Sequence, residues 1–179
     1  MTRVRSFAPV ATEDATRLVL GSMPGVASLR AGQYYAHPRN QFWRILGELL
    51  GWDPALPYAA RIDLVTASGI ALWDVLKACS RVGSLDAAIE KDSIVPNDFV
   101  TFFARHPLVR RVYFNGSTAE SWYRRRVLPL LPPGPLVYQR LPSTSPAHAA
   151  LSFEEKLAAW RVVASGAAGC RPPASRARR

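Results

Sequence analysis

Apolar and polar positions follow two rhythms along this chain. At 16–22, 69–75, 110–114 and 136–139 the apolar residues form short, nearly continuous runs bounded by Gly, Pro or polar residues, the form of buried strands. Over 40–50, 59–68, 118–128 and 153–163 the spacing turns helical; Phe42, Trp43, Ile45, Leu46, Leu49 and Leu50 mark the first of these helices, which Gly51 ends. Shorter helices are expected over 84–91 and from Pro96-Asn97-Asp98 to just before Pro107, while residues 1–15 read as an irregular lead. Strands alternating with helices imply an α/β fold: a three-layer sandwich with a central, mostly parallel four-stranded sheet flanked by helices. Residues 1–165 form a single domain on this reading. After Ser165 the composition shifts to Gly, Ala, Pro, Ser and Arg, so 166–179 is expected to be a basic, disordered tail that adds only non-specific affinity.

Composition narrows the class. With 179 residues, 49% of them hydrophobic, the chain has enough apolar material for one substantial core. No apolar run approaches the roughly 20 residues that span a bilayer, and no signal-peptide pattern opens the chain. A cytoplasmic protein, at the bacterial nucleoid and with no membrane partner, is therefore expected, and a monomer. Cys79 and Cys170 form no C-x-x-C pair, are expected to stay reduced, and are too few for a four-cysteine iron–sulfur cluster. His37, His106 and His148 stand apart from one another and from the cysteines, so no metal and no other cofactor is expected. The net charge is +10, and four arginines of the tail leave the rest of the chain at +6. That balance favours a polyanionic partner, of which nucleic acid is the commonest. Twenty arginines against three lysines mark a compositional bias, so the preference for Arg says nothing by itself.

Candidate chemistry concentrates in 18–46. A strand-like run stops at Gly21-Ser22-Met23-Pro24-Gly25, and Tyr34-Tyr35 and Ala36-His37-Pro38-Arg39-Asn40 follow before the helix begins. A buried strand feeding a Gly/Pro loop opens the carboxyl edge of a sheet, where open α/β folds bind ligands. The tyrosines offer flat stacking surface or are ordinary half-buried aromatics. Asn40 offers an uncharged amide that orients a water or a base edge, or caps the next helix, and the two roles can coexist. Asp74 breaks an otherwise apolar strand at its carboxyl end, either as a site carboxylate or as a cap on the next turn.

The order of strand, GSMPG and YYAHPRNQFW resembles the uracil-DNA glycosylase superfamily, over about residues 16–163. It is similar to the mismatch-specific branch, whose loop reads Gly-Ile-Asn-Pro-Gly and then Phe-Ala-His-Pro-x-Asn-x-Phe-Trp. Ser22, at the second position of the loop, looks like the hypoxanthine-DNA glycosylase branch. LPSTSPAHA at 141–149 resembles the superfamily's second motif. The resemblance implies a DNA repair enzyme that flips out a deaminated base, hypoxanthine ahead of uracil, and hydrolyses its N-glycosidic bond. Its partner would be double-stranded DNA carrying such bases, with single strands left open. Tyr35 then stacks on the base, Ser22 and Met23 lie against it, and Asp74 accepts a ring N–H that adenine and cytosine lack. Amides of the 21–25 loop would stabilise charge growing on the leaving base. Met23 stands where the mismatch-specific branch has the Asn that positions water; the hypoxanthine branch lacks that Asn too, and resemblance to it implies that the Asn before Phe-Trp, Asn40 here, is the catalytic residue. Ser143, Thr144, Ser145 and His148 contact DNA, and Pro146 or Ala147 fills the gap left in the stack. With no Lys in these motifs a Schiff-base lyase is not expected, and the enzyme is monofunctional.

Competing functions separate on the same residues. Substitution of the water-positioning Asn by Met23 keeps open a non-catalytic or weakly catalytic protein that recognises flipped or abasic nucleotides. A nucleoside hydrolase is disfavoured by the basic charge. No G-x-S-x-G elbow, G-x-G-x-x-G or P-loop occurs, which disfavours a serine hydrolase and dinucleotide or NTP binding.

Overall fold

A computed structural model describes residues 2–165. Seven strands and six α-helices follow in the order β1 (Thr2–Arg5), β2 (Arg17–Gly21), α1 (Val26–Ala31), α2 (Phe42–Leu50), α3 (Tyr58–Ala67), β3 (Ile70–Asp74), β4 (Leu76–Arg81), β5 (Val95–Pro96), α4 (Phe99–Arg105), β6 (Arg111–Asn115), α5 (Ser117–Arg126), β7 (Val137–Leu141) and α6 (Phe153–Ala164). The central sheet has the order β3-β2-β6-β7, and every pairing in it is parallel. Its middle strands are buried because side chains on both faces meet helices, which explains their unbroken apolar runs.

Period-two alternation divides the core. Leu18 and Leu20 of β2 join Val112, Phe114, Phe99, Phe102 and Tyr123 on the face covered by α4 and α5. Val19 points the other way, with Ile70, Leu72, Tyr113, Phe42 and Trp160, under α2, α3 and α6. These are the three layers expected from the sequence. One sheet edge, β3, is closed by the chain's lead: Val10 and Leu72 exchange backbone hydrogen bonds of 2.9 and 2.8 Å.

Three local expectations are corrected. Residues 1–15 are not wholly irregular, since Thr2–Arg5 pairs antiparallel with Leu76–Arg81. With Val95–Pro96 these strands make a second, three-stranded sheet that the sequence reading did not contain. The helix expected over 84–91 is two single 3-10 turns, Asp86–Ala88 and Lys91–Ser93. The stretch between Gly25 and Tyr34, expected to be a polar loop, holds a six-residue helix, Val26–Ala31. The tail over 166–179 lies outside the described residues.

A buried arginine ties the helical layers to the sheet. Arg17 is 3% exposed, and its guanidinium donates to the carbonyl of Val163 at the end of α6 and to that of Ser68 at the end of α3. Arg17→Met leaves both carbonyls without their donor, so urea unfolding is expected to show a loss of about 2–4 kcal/mol. Arg111→Met, on the exposed end of β6, is expected to cost less than about 0.5 kcal/mol.

Candidate active site

Gly21 and Asp74 end adjacent parallel strands and stand side by side in register. A side chain on Gly21 would place its Cβ 2.6 Å from Asp74 Oδ1 and 3.3 Å from the Tyr35 hydroxyl. Glycine is required here for the approach of a carboxyl group, not for a turn. The loop that follows is laid along the start of β4, where the amides of Val75 and Leu76 donate to the carbonyls of Gly21 and Ser22 at 2.9 and 3.1 Å. Arg81, 2% exposed, fastens the same loop from beneath through the Pro24 carbonyl.

The carboxyl edge of the sheet opens into a cavity of about 830 Å³, whose wall includes Ser22, Tyr35, Asn40, Asp74, Asn115 and Ser143. Asp74 is 3% exposed, and its Oδ2 is buried without a hydrogen-bond partner among the described residues. Burial, then the neighbouring Asp86, push its carboxyl up to about 8 against the pull of Arg81. Burial thus favours the neutral carboxylic acid at pH 7, a form that carries one donor and one acceptor.

Tyr35 adopts a left-handed backbone, φ 55°, which a bulky residue tolerates only when packing enforces it. Its ring lies 3.8 Å from Phe42, nearly parallel at 21°, so one face is covered before any ligand arrives. Tyr34 beside it is core: its carbonyl accepts from Trp43 Nε1 at 2.9 Å and its amide donates to Tyr58. Burial and the nearby Asp74 raise the Tyr35 hydroxyl well above its ordinary value, so it stays protonated.

Asn40 lines the cavity and stands one residue ahead of Gln41, the N-cap of α2, where its Oδ1 accepts from the Phe42 amide at 3.0 Å and so still satisfies a free donor of the helix start. The second motif is fastened to the same point. Gln41 donates its amide to the Thr144 carbonyl at 3.0 Å. Asn115, at the end of β6, clamps Thr144 twice, accepting from its amide at 2.8 Å and donating to its Oγ1 at 2.9 Å. Lys156 and Trp160 of α6 pin the loop from behind through the carbonyls of His148 and Pro142, at 2.7 and 2.9 Å.

Sequence-expected residues thus meet at one cavity, with differences in what each presents. Thr144 is fully buried and clamped, so its hydroxyl is not exposed to a phosphate. Ser143 and Ser145 accept from the amides of Ser145 and Ala147, which leaves each hydroxyl proton free to donate outward. His148 is exposed at the cavity rim. Met23 is 6% exposed and belongs mostly to the core, with its edge on the cavity. Wall residues that the sequence did not single out include Asp86, whose Oδ1 accepts from the Ser22 hydroxyl at 2.7 Å, Asn115 and Arg140. Of these Asn115 carried a signal, an amide placed directly after the apolar run at 110–114. Among the described residues no three His, Cys, Asp or Glu gather as metal ligands, and no helix is long and apolar enough to cross a membrane.

The chain is also similar to known proteins over most of its length. The family model of the uracil DNA glycosylase superfamily matches residues 8–164. A hypoxanthine DNA glycosylase of Methanosarcina barkeri is 41% identical over 119 residues, 66% of this chain and 74% of that protein. One of Methanosarcina acetivorans is 37% identical over 134 residues, 70% and 84% of the two chains. The solution structure of a candidate uracil DNA glycosylase, also from Methanosarcina acetivorans, superposes with a TM-score of 0.78 at 32% identity, covering 93% of this chain and 99% of that one.

Asp74 makes stability depend on pH. Its carboxyl ionises near its ordinary 3.8 in the unfolded chain and near 8 in the folded one. Between those values the folded protein holds the extra proton, so stability falls as pH rises from about 4 to about 8 and levels off above. Asp86, also raised, acts in the same direction. Thermal melts across this range are expected to show a shallower fall for Asp74→Asn than for the wild type; identical slopes would mean that Asp74 is already ionised in the fold.

Proposed function

The chain belongs to the uracil DNA glycosylase superfamily, and we propose that it is a monofunctional DNA glycosylase that flips a deaminated base from the helix and hydrolyses its N-glycosidic bond, with hypoxanthine preferred. The observation that carries the choice is the Asp74 carboxyl, buried at the end of the cavity with Oδ2 unpartnered. A neutral carboxyl donates from O–H and accepts at C=O. Deaminated bases offer the complement, a carbonyl beside a ring N–H: O6 and N1–H in hypoxanthine, O4 and N3–H in uracil. Adenine carries donor and acceptor in the opposite order, which the same carboxyl meets only with its proton on the other oxygen. The two relatives named for hypoxanthine support the purine.

The reaction follows from where each group stands. The C1′–N bond breaks with its electron pair leaving on the base, and positive charge gathers on the sugar. Asp74 donates to the base carbonyl, where negative charge collects, and the donation strengthens as the bond lengthens. Tyr35, backed by Phe42, forms the aromatic wall against which the base lies. Asn40 spends one lone pair of Oδ1 on the Phe42 amide and keeps the second for an O–H of the attacking water. That water adds its oxygen to C1′ and passes its proton to solvent. Positioning, and not proton abstraction, is what an amide contributes.

The substrate is double-stranded DNA, bound by a monomer at the cytoplasmic nucleoid. A net charge of +10 suits a polyanion. Ser143, Ser145 and His148 are the proposed phosphate contacts, and Thr144, clamped by Asn115, holds their loop in place.

Asn40→Ala tests the assignment. Single-turnover excision of hypoxanthine from a labelled duplex is expected to slow by about 10²-fold or more, with DNA affinity retained. Loss of the cap should cost about 1 kcal/mol of stability. A lower melting temperature with an intact rate would reduce Asn40 to a helix cap. Asn40→Asp keeps the cap acceptor, so it should restore the melting temperature.

A further inference from the structure

The loop after β2 meets two carboxyl groups at consecutive residues: Asp74 packs on Gly21, and Asp86 accepts from the hydroxyl of Ser22 at 2.7 Å. Asp86 belongs to a 3-10 turn that follows β4 in the chain, and it lines the same cavity. Nothing in the excision reaction as derived above uses it. We infer that Asp86 is a positioning residue of the base pocket: it holds the hydroxyl of Ser22 and, meeting the loop one residue beyond the glycine on which Asp74 packs, biases which of the two carboxyl groups keeps its proton.

The two groups are unequally provided for. Asp86 has a hydroxyl donor at 2.7 Å, and the hydroxyl of Thr118 and the Arg81 guanidinium also favour its anion. Asp74 Oδ2 has no partner among the described residues, and the group is almost wholly removed from water. Two carboxyl groups in mutual reach do not both ionise freely, and the better solvated one loses its proton first. Burial raises both, the charge of Asp86 raises Asp74 further, and Arg81 opposes both. Other titratable groups near the pair are Tyr34 and Tyr35, neutral and raised by burial and then by Asp74, Cys79, raised by burial and set between Arg81 and Asp86, and His37 on the cavity wall. Arg81 offsets one carboxylate and is committed by Nη2 to the Pro24 carbonyl. One cation, one carboxylate and one neutral acid is therefore the arrangement with least unbalanced charge beneath the loop.

Ser22 completes the assignment. Its proton goes to Asp86, so toward the cavity it presents lone pairs only, an acceptor that a base N–H can use and a base carbonyl cannot. Asp86 thus sets the polarity of two neighbouring pocket groups, the donor at Asp74 and the acceptor at Ser22.

The inference rests on the proposed reading of Asp74, and the experiment separates the two. Carboxyl ¹³C NMR of the free, Asp-labelled protein follows Asp74 directly, without any substrate. Beside it, single-turnover excision of hypoxanthine is measured from pH 6 to 10 for wild type, Asp86→Asn, Asp86→Ala and Ser22→Ala. Asp86→Asn keeps an acceptor for Ser22 but removes the charge. In that variant the Asp74 titration and the alkaline fall in rate are expected to move together to lower pH, by on the order of 0.5 unit or more. Asp86→Ala, which loses charge and acceptor, is expected to slow excision by about 10-fold or more, with Asp86→Asn recovering part of the loss below the shifted fall. Because Asp86 acts through Ser22, adding Ser22→Ala to Asp86→Ala is expected to cost less than the two separate losses combined. An Asp74 titration unmoved by Asp86→Asn overturns the inference while leaving the reading of Asp74 intact. No excision by wild type, with the titration shift present, overturns the proposed activity and leaves the pairing standing.

Discussion

A carboxyl group held against the backbone of the neighbouring strand is the contact on which the site depends. Asp74 Oδ1 occupies the place where any other residue at position 21 would carry its Cβ. That closeness removes Asp74 from water, and removal from water keeps it protonated. A buried acid left unpartnered costs stability, and a well-packed apolar residue would be the more stable choice. Its carboxyl lines the cavity all the same, beside the Tyr35 hydroxyl and the Gly21 backbone.

Everything near this contact holds the loops that close over it. The parallel order β3-β2-β6-β7 brings the ends of β2, β3 and β6 to one edge. From there Asn115 grips Thr144, Thr144 receives the Gln41 amide, and Asn40 is delivered to the cavity wall. Segments near residues 40, 115 and 144 are fixed by three hydrogen bonds of 2.8–3.0 Å whose donors and acceptors are largely shielded from solvent. Rigid placement of this sort suits a reaction in which positioning of water and base does the chemistry.

Sequence reasoning reached the parts whose physics is local. Continuous apolar runs gave the central strands, because burial on both faces demands them, and Gly51 gave the end of α2. The second sheet was hidden. TRVR and LKACSR each carry two charged residues in a short run, and Thr2 pairs with Arg81 across almost eighty positions of chain. Asp86 was hidden for another reason. In GSLDAA an acid followed by alanines reads as the opening of a helix, and only the fold brings it to Ser22. Thr144 misled in the opposite direction: a loop of three hydroxyls reads as exposed, yet its middle member is the buried clamp. Asn40 was legible as an acceptor at the start of α2, and the fold brings it to the cavity wall.

The central claim is that Asp74 works as a neutral acid, and its most direct test replaces that acid by the amide it imitates. Asparagine donates from NH₂ and accepts at C=O at every pH. The wild-type single-turnover rate on hypoxanthine is expected to fall as pH rises through about 8, where Asp74 ionises. Asp74→Asn is expected to retain excision and to hold its rate level across that range, where Asp74→Ala does not excise. A wild-type rate that climbs through pH 8, or an Asp74→Asn protein as inactive as Asp74→Ala, would contradict the account and make the carboxylate anion the working form.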